Sequence, residues 1–593
     1  MSKGRKIVAG VVLLLISLIA VDMFVGRSLY HPLVYLYRLV SWGVCKDLAE
    51  CQYKQASTEI GQAAVVTSHH EATSAGIDVL KKGGNAIDAA IAIGYALAVV
   101  HPCCGNLGGG GFMTVRLSNG TTRFINFREK APLAATPTLY QDLNGRVVKG
   151  LSTDGYLAVA VPGTVAGLEY AREKYGSNHL TRQQLIAPAQ ELAKEGFVLT
   201  SSEQKLLQRE IKNNQDSEVA AIFTKKNKSL EAGDRLVQPE LAETLLLLAE
   251  KGASAFYKGE ISQRIVEASQ QHSGILTLLD FQTYRVQDVD PLTCNYRGFT
   301  ILTSPPPGGG TVLCEMLNIV EGFPVGQAEY RSVNHLHWML SAMLFAYRDR
   351  NLYFGDPNFS NIPTERILSK AYAKELRSKI PQDRVIELPE EFPTKQEGQD
   401  TTHFSVVDEE GNAVSVTYTI NTLFGAGVIA PGTGFFLNNE MDDFTAKVGA
   451  ANTYGLVQGA ANKIEPGKQP LSSMAPTIVL DTDNNLFLVT GSPGGSTIPT
   501  TIFQIITNLV DFELDPDSAV NQPRIHYQGT PNILLTEPFA LSNETFVDLW
   551  SYGYRVFPFI HWGAAMSIVQ KDRKLQAIKD VRRRQGKAQA VSD

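Results

Sequence analysis

At residue 400 the chain changes character. The stretch before that point, "IPQDRVIELPEEFPTKQEGQD" (380–400), is polar, carries three prolines and lacks long periodic apolar runs, which reads as an exposed, mobile loop. Immediately afterwards come "HFSVVD", "AVSVTYTI", "GTGFFLNN", "PTIVLD" and "LFLVTG", and strands dominate. Residues from about 180 to 380 read mainly as helix, with "ELAETLLLLAEKG" and "HLHWMLSAMLFAYRDRN" as amphipathic segments. A chain divided in this way folds as mixed α and β with a strand-rich last third. The junction is Asp400-Thr401, and the strand that follows, "TTHFSVVD", alternates apolar and polar residues as a half-buried strand does.

The length of 593 residues admits several domains or one large α/β body. A formal net charge of -6 gives no reason to expect nucleic acid, and "KDVRRRQGK" near the C-terminus reads as a solvated tail. The N-terminus is basic, "MSKGRK", and an uninterrupted apolar run from Ile7 to Val21 follows it. That is the layout of an export signal. No small-x-small cleavage site follows Ala20, and with Asp22 tolerated the run reaches Gly26, about the length needed to cross a bilayer. The expectation is an uncleaved anchor with its basic end in the cytoplasm; the alternative is a cleaved signal peptide. Six cysteines suit an exported chain without forming a disulfide scaffold. Cys45 and Cys51 are close enough for a small loop disulfide. Cys103 and Cys104 are adjacent, and vicinal pairs rarely bridge because the geometry is strained. Cys294 and Cys314 read as buried thiols, and none of the six has metal-ligand spacing.

After a linker to about Ala56, "AAVVTSHHEATSAGIDVLKKGGNAIDAAIAIGYALAVV" reads as a strand and two helices. Ser68 with Glu71 forms a capping box, which accounts for "SHHE" better than a metal site does, and the first helix ends at Gly83-Gly84. "GNLGGGGFMTVRL" and "SPPPGGGT" both lack the Gly-Lys-Ser/Thr that ends a phosphate loop. Close backbone packing is the better reading of each.

The junction itself carries chemistry. A cut between Asp400 and Thr401 leaves Thr401 with a free α-amine beside its own hydroxyl. Such an amine has a pKa of about 7.7 to 8.0, so part of it is unprotonated near neutrality. It can take the hydroxyl proton, directly or through one water, and activate a weak nucleophile with no histidine. The same hydroxyl can attack the Asp400 carbonyl and cut the chain. Against this stands the fact that threonine pairs open many strands by chance.

The neighbouring motifs change that weighting. "TTHFSVVDEEGNAVSVTYTIN", "GFFLNNEMDDF", "PLSSMAPTIV", "TGSPGGSTIP" and, far upstream, "NFREKAP" together resemble the γ-glutamyltranspeptidase family of N-terminal nucleophile hydrolases. The resemblance runs from about residue 60 to the end and includes "KKGGNAIDAAIA" and "GNLGGGGFM". It implies Thr401 as nucleophile, Thr419 as the threonine that orients it, and the Gly494 and Gly495 amides as the oxyanion hole. It assigns Arg128, Ser472 and Ser473 to the α-carboxylate of the donor. Asn421, Glu440 and Asp443 match the residues that hold the α-amine, Glu440 standing where other members have glutamine. Residues 444–470 match a loop shielding the pocket, with Tyr454 as its gating residue bonded to Asn421.

The implied fold is α+β, a four-layer αββα sandwich formed jointly by two subunits cut from one precursor. Residues 1–56 would be the stub, anchor and linker, 57–400 the large subunit and 401–593 the small one. The implied reaction is ping-pong transfer of the γ-glutamyl group of glutathione or a related compound, through a threonyl acyl-enzyme, to water or to an amino acid or dipeptide. No metal or organic cofactor is implied, and the partners are donor, acceptors, the paired subunits and the membrane. The location expected is periplasmic or extracytoplasmic. Rival readings are an acylase of the glutaryl-cephalosporin type on the same fold, and a tethered binding protein that never matures.

Overall fold

The computed structural model describes residues 58–592, apart from 387–400 and the positions 212–213, 215, 226–227, 451, 454–455, 457, 530–531 and 560. The expected anchor with Cys45 and Cys51, together with Asp400 and Tyr454, lies outside the described residues.

Two seven-stranded sheets make up the middle of the molecule. In chain order their strands are β1 (Thr58–Gly61), β2 (Ala63–Thr67), β3 (Gly110–Arg116), β4 (Thr122–Phe127), β5 (Gln287–Val289), β6 (Leu292–Tyr296), β7 (Phe299–Thr303), β8 (Thr401–Val407), β9 (Ala413–Thr419), β10 (Thr477–Leu480), β11 (Leu486–Thr490), β12 (Ser567–Lys571), β13 (Lys574–Ile578) and β14 (Lys587–Val591). The first sheet runs β1-β13-β12-β11-β10-β7-β6 and the second β14-β2-β8-β9-β3-β4-β5. Every pairing in both is antiparallel. Segments on either side of residue 401 interleave in each sheet: β1, β6 and β7 with β10 to β13 in the first, and β2 to β5 with β8, β9 and β14 in the second.

The period-2 alternation of side chains divides these strands between two cores. On one face of the second sheet, Val65, Met113, Phe404, Val406, Val414 and Val416 pack with helices α1 (His70–Lys81), α2 (Ala86–Val100), α3 (Arg182–Glu195) and α4 (Pro239–Lys251). Their neighbours Ala64, Val66, Val407 and Ala413 face Ile478, Val489, Ile568 and Leu575 of the first sheet. The far face of the first sheet, through Ile301, Val479 and Leu488, takes α5 (Gly310–Val320), α6 (Val333–Tyr353) and α7 (Thr497–Val510). The layers are therefore α, β, β, α. Helix α2 is apolar all round because it is buried on every side, and Asn85 with Asp88 closes its N-terminus in a capping box.

Three local expectations are corrected. Strand β8 is not half-buried: all seven of its residues are buried. Its polar face looks at the other sheet rather than at water, and hydroxyls cross the gap to backbone carbonyls. Ser405 donates to Met566 at 2.6 Å, Ser415 to Thr490 at 2.9 Å and Thr114 to Pro476 at 2.8 Å. An unpaired hydroxyl there would cost about 1–3 kcal/mol. Helix α1 is capped by His69, whose side chain accepts the Glu71 N–H, and not by Ser68. Ser68 instead accepts a hydrogen bond from the Thr402 hydroxyl at 3.0 Å. Finally, Cys103 is bonded to Cys104 and Cys294 to Cys314. Cys103 and Cys104 are both buried in the tight turn after α2, where their sulfurs face each other. Cys294 on β6 lies with its Cα 6.0 Å from that of Cys314 on α5, within bridging reach.

The two glycine-rich stretches are places of close backbone approach, as read from the sequence. A Cβ on Gly109 would lie 1.9 Å from the Thr419 carbonyl oxygen, and one on Gly309 would lie 2.3 Å from that of Ser473.

Candidate active site

Strand β8 begins beside the last residue of β9, because the antiparallel register sets Thr401 opposite Thr419. The Thr401 hydroxyl donates to Thr419 Oγ1 at 3.4 Å, and Thr419 Oγ1 also accepts the Asn421 N–H at 2.9 Å. That second bond holds a turn in which Asn421 takes a left-handed conformation (φ 73°) that asparagine tolerates better than most residues. The turn is also tied to the cysteine pair: Ile420 N–H donates to the Cys104 carbonyl at 3.1 Å and Phe424 N–H to that of Cys103 at 2.8 Å. Asn421 donates its side-chain amide to the Asn439 carbonyl at 3.0 Å.

The nearby histidine is not a base. His403 is buried, hydrogen-bonded to Thr417 at 2.8 Å and to Ser405 at 3.2 Å, and burial pushes it down to about 3. It is neutral and locked between the sheets. The Thr401 hydroxyl thus has another threonine as its partner, and any base for it must come from elsewhere.

Thr401 and Thr419 line one small cavity. Gly495, just before α7, lines it as well. Gly494 and Gly495 have φ of 133° and 55°, and a Cβ on Gly494 would meet Thr497 Oγ1 at 2.4 Å. Only glycine makes this turn, and it lies at the N-terminal end of a helix, where backbone amides carry partial positive charge.

Arg128, which also lines the cavity, is wholly buried among three carboxylates. It donates to Glu440, to Asp443 at 2.5 Å and to Glu129 at 3.3 Å, and reaches the carbonyls of Pro470 and Leu471, each at 3.3 Å. Burial by itself would pull the guanidinium down, but Glu440, Glu129 and Asp443 more than offset it and keep Arg128 protonated. The carboxyls respond in the opposite sense. Burial, with Glu129 and Asp443 close by, pushes Glu440 well above the usual carboxylate range against the pull of Arg128. Burial likewise pushes Glu129 up to about 7. One cation faces three acids, so this part of the cavity suits a zwitterion, whose carboxylate takes the guanidinium and whose ammonium takes the acids.

Ser472 and Ser473 also line the cavity. The "SPPPGGGT" loop supports them, with the Ser472 N–H donating to the Pro307 carbonyl at 2.8 Å and Gly309 N–H to that of Met474 at 2.9 Å. Ser472 Oγ accepts the Met474 N–H at 3.1 Å, which leaves its own hydrogen for another acceptor. Glu440 and Asp443 are carried on one 3₁₀ turn, Glu440–Asp443. Described residues of the segment after it touch the site: Leu456 lines the cavity, Asn452 donates to Asp443 at 3.4 Å, and Thr453 N–H donates to Asp442 at 2.9 Å.

The residues expected from sequence therefore converge. Arg128, Thr401, Thr419, Asn421, Glu440, Asp443, Ser472, Ser473 and Gly495 line one cavity with Gly494 adjacent, while Tyr454 and Asp400 lie outside the described residues. Two lining or supporting charges were missed. Glu129 follows Arg128 directly, and alternation sends strand neighbours to opposite faces; β4 ends at Phe127, so the rule has lapsed by that point. Arg350 lies at the end of α6 on the same helical face as the buried Met343, Ala346 and Tyr347. An arginine on an apolar stripe was the signal available. Of metal-ligating types, the described residues bring His101, Cys103 and Cys104 within 4.8 Å of one another, but the two sulfurs are bonded together.

A family model described as Gamma-glutamyltranspeptidase matches residues 72–590. A protein of Pseudomonas sp. (strain A14) named glutathione hydrolase proenzyme is 49% identical over 507 residues, covering 84% of this chain and 88% of its own. Among solved structures, the cephalosporin acylase from Bacillus halodurans superposes with a TM-score of 0.79 at 27% identity, over 91% of this chain and 98% of that one. The γ-glutamyltranspeptidase of Helicobacter pylori matches with a TM-score of 0.53 at 41% identity, over 54% of this chain and 91% of that one.

Proposed function

The chain belongs to the gamma-glutamyltranspeptidase family, and from that premise we propose that it cuts itself before Thr401 and then transfers γ-glutamyl groups from glutathione and related amides. The observation that carries this is that one cavity is lined both by paired threonines and by an arginine among acids.

The steps follow from the chemistry of the groups. The α-amine released on Thr401 takes the hydroxyl proton as Oγ1 attacks the γ-carbonyl. Oxyanion charge develops beside the glycine turn, where each well-aimed amide is worth about 2.7–4 kcal/mol. The C–N bond then breaks, the α-ammonium returns the proton to the leaving amine, and an ester to Thr401 remains. Water, an amino acid or a dipeptide attacks that ester and frees the enzyme. Arg128, Ser472 and Ser473 hold the donor's carboxylate; Asn421, Glu440 and Asp443 hold its ammonium. Arg128 donates to both acids. Donor binding therefore exchanges those contacts, with the carboxylate taking Arg128 and the ammonium taking the acids. Residues 444–470 act as a lid gated by Tyr454, which restricts the donor to small acyl groups.

Residues 57–400 form the large subunit and 401–593 the small one, and the interleaved strands give each sheet contributions from both. Among the described residues no helix is long and apolar enough to cross a membrane. The reading of residues 1–56 as an anchor, with the body on the extracytoplasmic or periplasmic side, rests on the basic start and the apolar run. Two disulfides among the described residues support an oxidising compartment.

The test is the acyl preference of the purified protein, read with γ-glutamyl-p-nitroanilide and glutaryl-p-nitroanilide, each with and without glycylglycine. A site that holds the ammonium should favour the γ-glutamyl group by about a hundredfold or more and should respond to the acceptor. Faster release from the glutaryl compound would replace this reading with that of an acylase. No turnover of either would favour the binding protein.

A further inference from the structure

Arg350 belongs to none of the groups assigned above, yet it lines the same cavity and is 2% exposed. Helix α6 carries it, and the helix end is tied to the 444–470 segment by a bond from Gly459 N–H to the Asn351 carbonyl at 2.8 Å. Its neighbour Asp349 turns the other way, accepting Tyr372 Oη at 2.6 Å and Arg348 at 3.0 Å. The Arg350 guanidinium instead meets a pocket serine, with Nη2 donating to Ser473 Oγ at 3.4 Å.

We propose that Arg350 is a positioning residue for the donor's α-carboxylate, acting through Ser473. Resting on the reading above, this adds a second cation to the carboxylate end of the site. A guanidinium can only donate, so Ser473 Oγ must act as acceptor toward Arg350. The serine's one hydrogen is then directed away from Arg350, and the cavity is where an acceptor will arrive. A donor polarised by a neighbouring cation makes a stronger bond to a carboxylate than an isolated hydroxyl does. The same positive charge also works against the excess of acids around Arg128, which would otherwise repel an incoming carboxylate.

The test compares donors that differ in one group. γ-Glutamyl-p-nitroanilide carries both carboxylate and amine, whereas 4-aminobutyryl-p-nitroanilide keeps the amine and lacks the carboxylate. The readout is the ratio of kcat/KM for the two, which is independent of how much enzyme has matured. Arg350→Gln should lower that ratio on the order of tenfold, chiefly through KM, and Arg350→Lys should recover part of it by restoring the charge. Ser473→Ala should lower it too, and the double variant R350Q/S473A should lose less than the two single losses multiplied. A ratio unchanged in both Arg350 variants, or fully independent effects of Arg350 and Ser473, would overturn the proposal. Where R350Q fails to mature, R350K decides, since a lysine lacking the planar fork should still lower the ratio severalfold if the bond to Ser473 matters. If the unsubstituted enzyme does not discriminate between the two donors, it is the reading of the carboxylate site that fails instead.

Discussion

A carboxyl group buried beside an arginine and two further acids, as Glu129 is, ties site chemistry to stability. Its ordinary value of 4.5 is pushed up to about 7, by burial first and against the pull of Arg128. The folded protein therefore keeps this proton up to about 7, whereas the unfolded chain releases it near 4.5. The stabilisation from the bound proton is complete below the unfolded value and is lost as pH rises through the folded one. Glu129→Gln mimics the neutral acid at every pH. Denaturant unfolding should show it nearly equal to the parent near pH 4.5, and more stable by on the order of 3 kcal/mol near pH 8. A gain that does not grow with pH would mean that Glu129 is ionised throughout and serves as a fixed counter-ion to Arg128.

At the scale of elements, the disulfide from β6 to α5 joins a strand of the first sheet to the helix layer on its outer face. It closes a loop with a sequence separation of 20. Removing it with Cys294→Ser and Cys314→Ser should cost about 3 kcal/mol, read as a lowered midpoint of unfolding, while donor KM stays unchanged because neither residue lines the cavity. The elements also show what the sequence made legible. The helices and strands around the 400/401 junction could be read from periodicity, and the site residues from their motifs. The full burial of β8 could not, because the polar stripe Thr401, His403 and Ser405 looks the same whether it faces water or a second sheet bonded through hydroxyls. Pairing of Cys294 with Cys314 was equally hidden, since it depends on which strand lies under which helix. Arg350 was hidden for a related reason: its partner Ser473 is 123 residues away along the chain.

At the scale of the whole molecule, seven strands from before residue 401 and seven from after it build both sheets, so neither part has a sheet of its own. Any product of a cut at this point must remain assembled until it is denatured. Thr401 and Thr419 sit at the meeting of these parts, on adjacent strands of one sheet. Thr401 is held by β9 on one side, and from Phe404 onward β8 is also paired with β2, so the strand is a firm mount for a nucleophile that supplies its own base. The first measurement is intact mass and N-terminal sequencing of the purified protein beside Thr401→Ala, each run under native and denaturing conditions. The expected result is one native particle from the parent that separates on denaturation into two fragments, the smaller beginning Thr-Thr-His-Phe, with the variant remaining full length. A folded parent that stays uncut, or a variant cut at the same bond, would contradict Thr401 as the self-processing nucleophile.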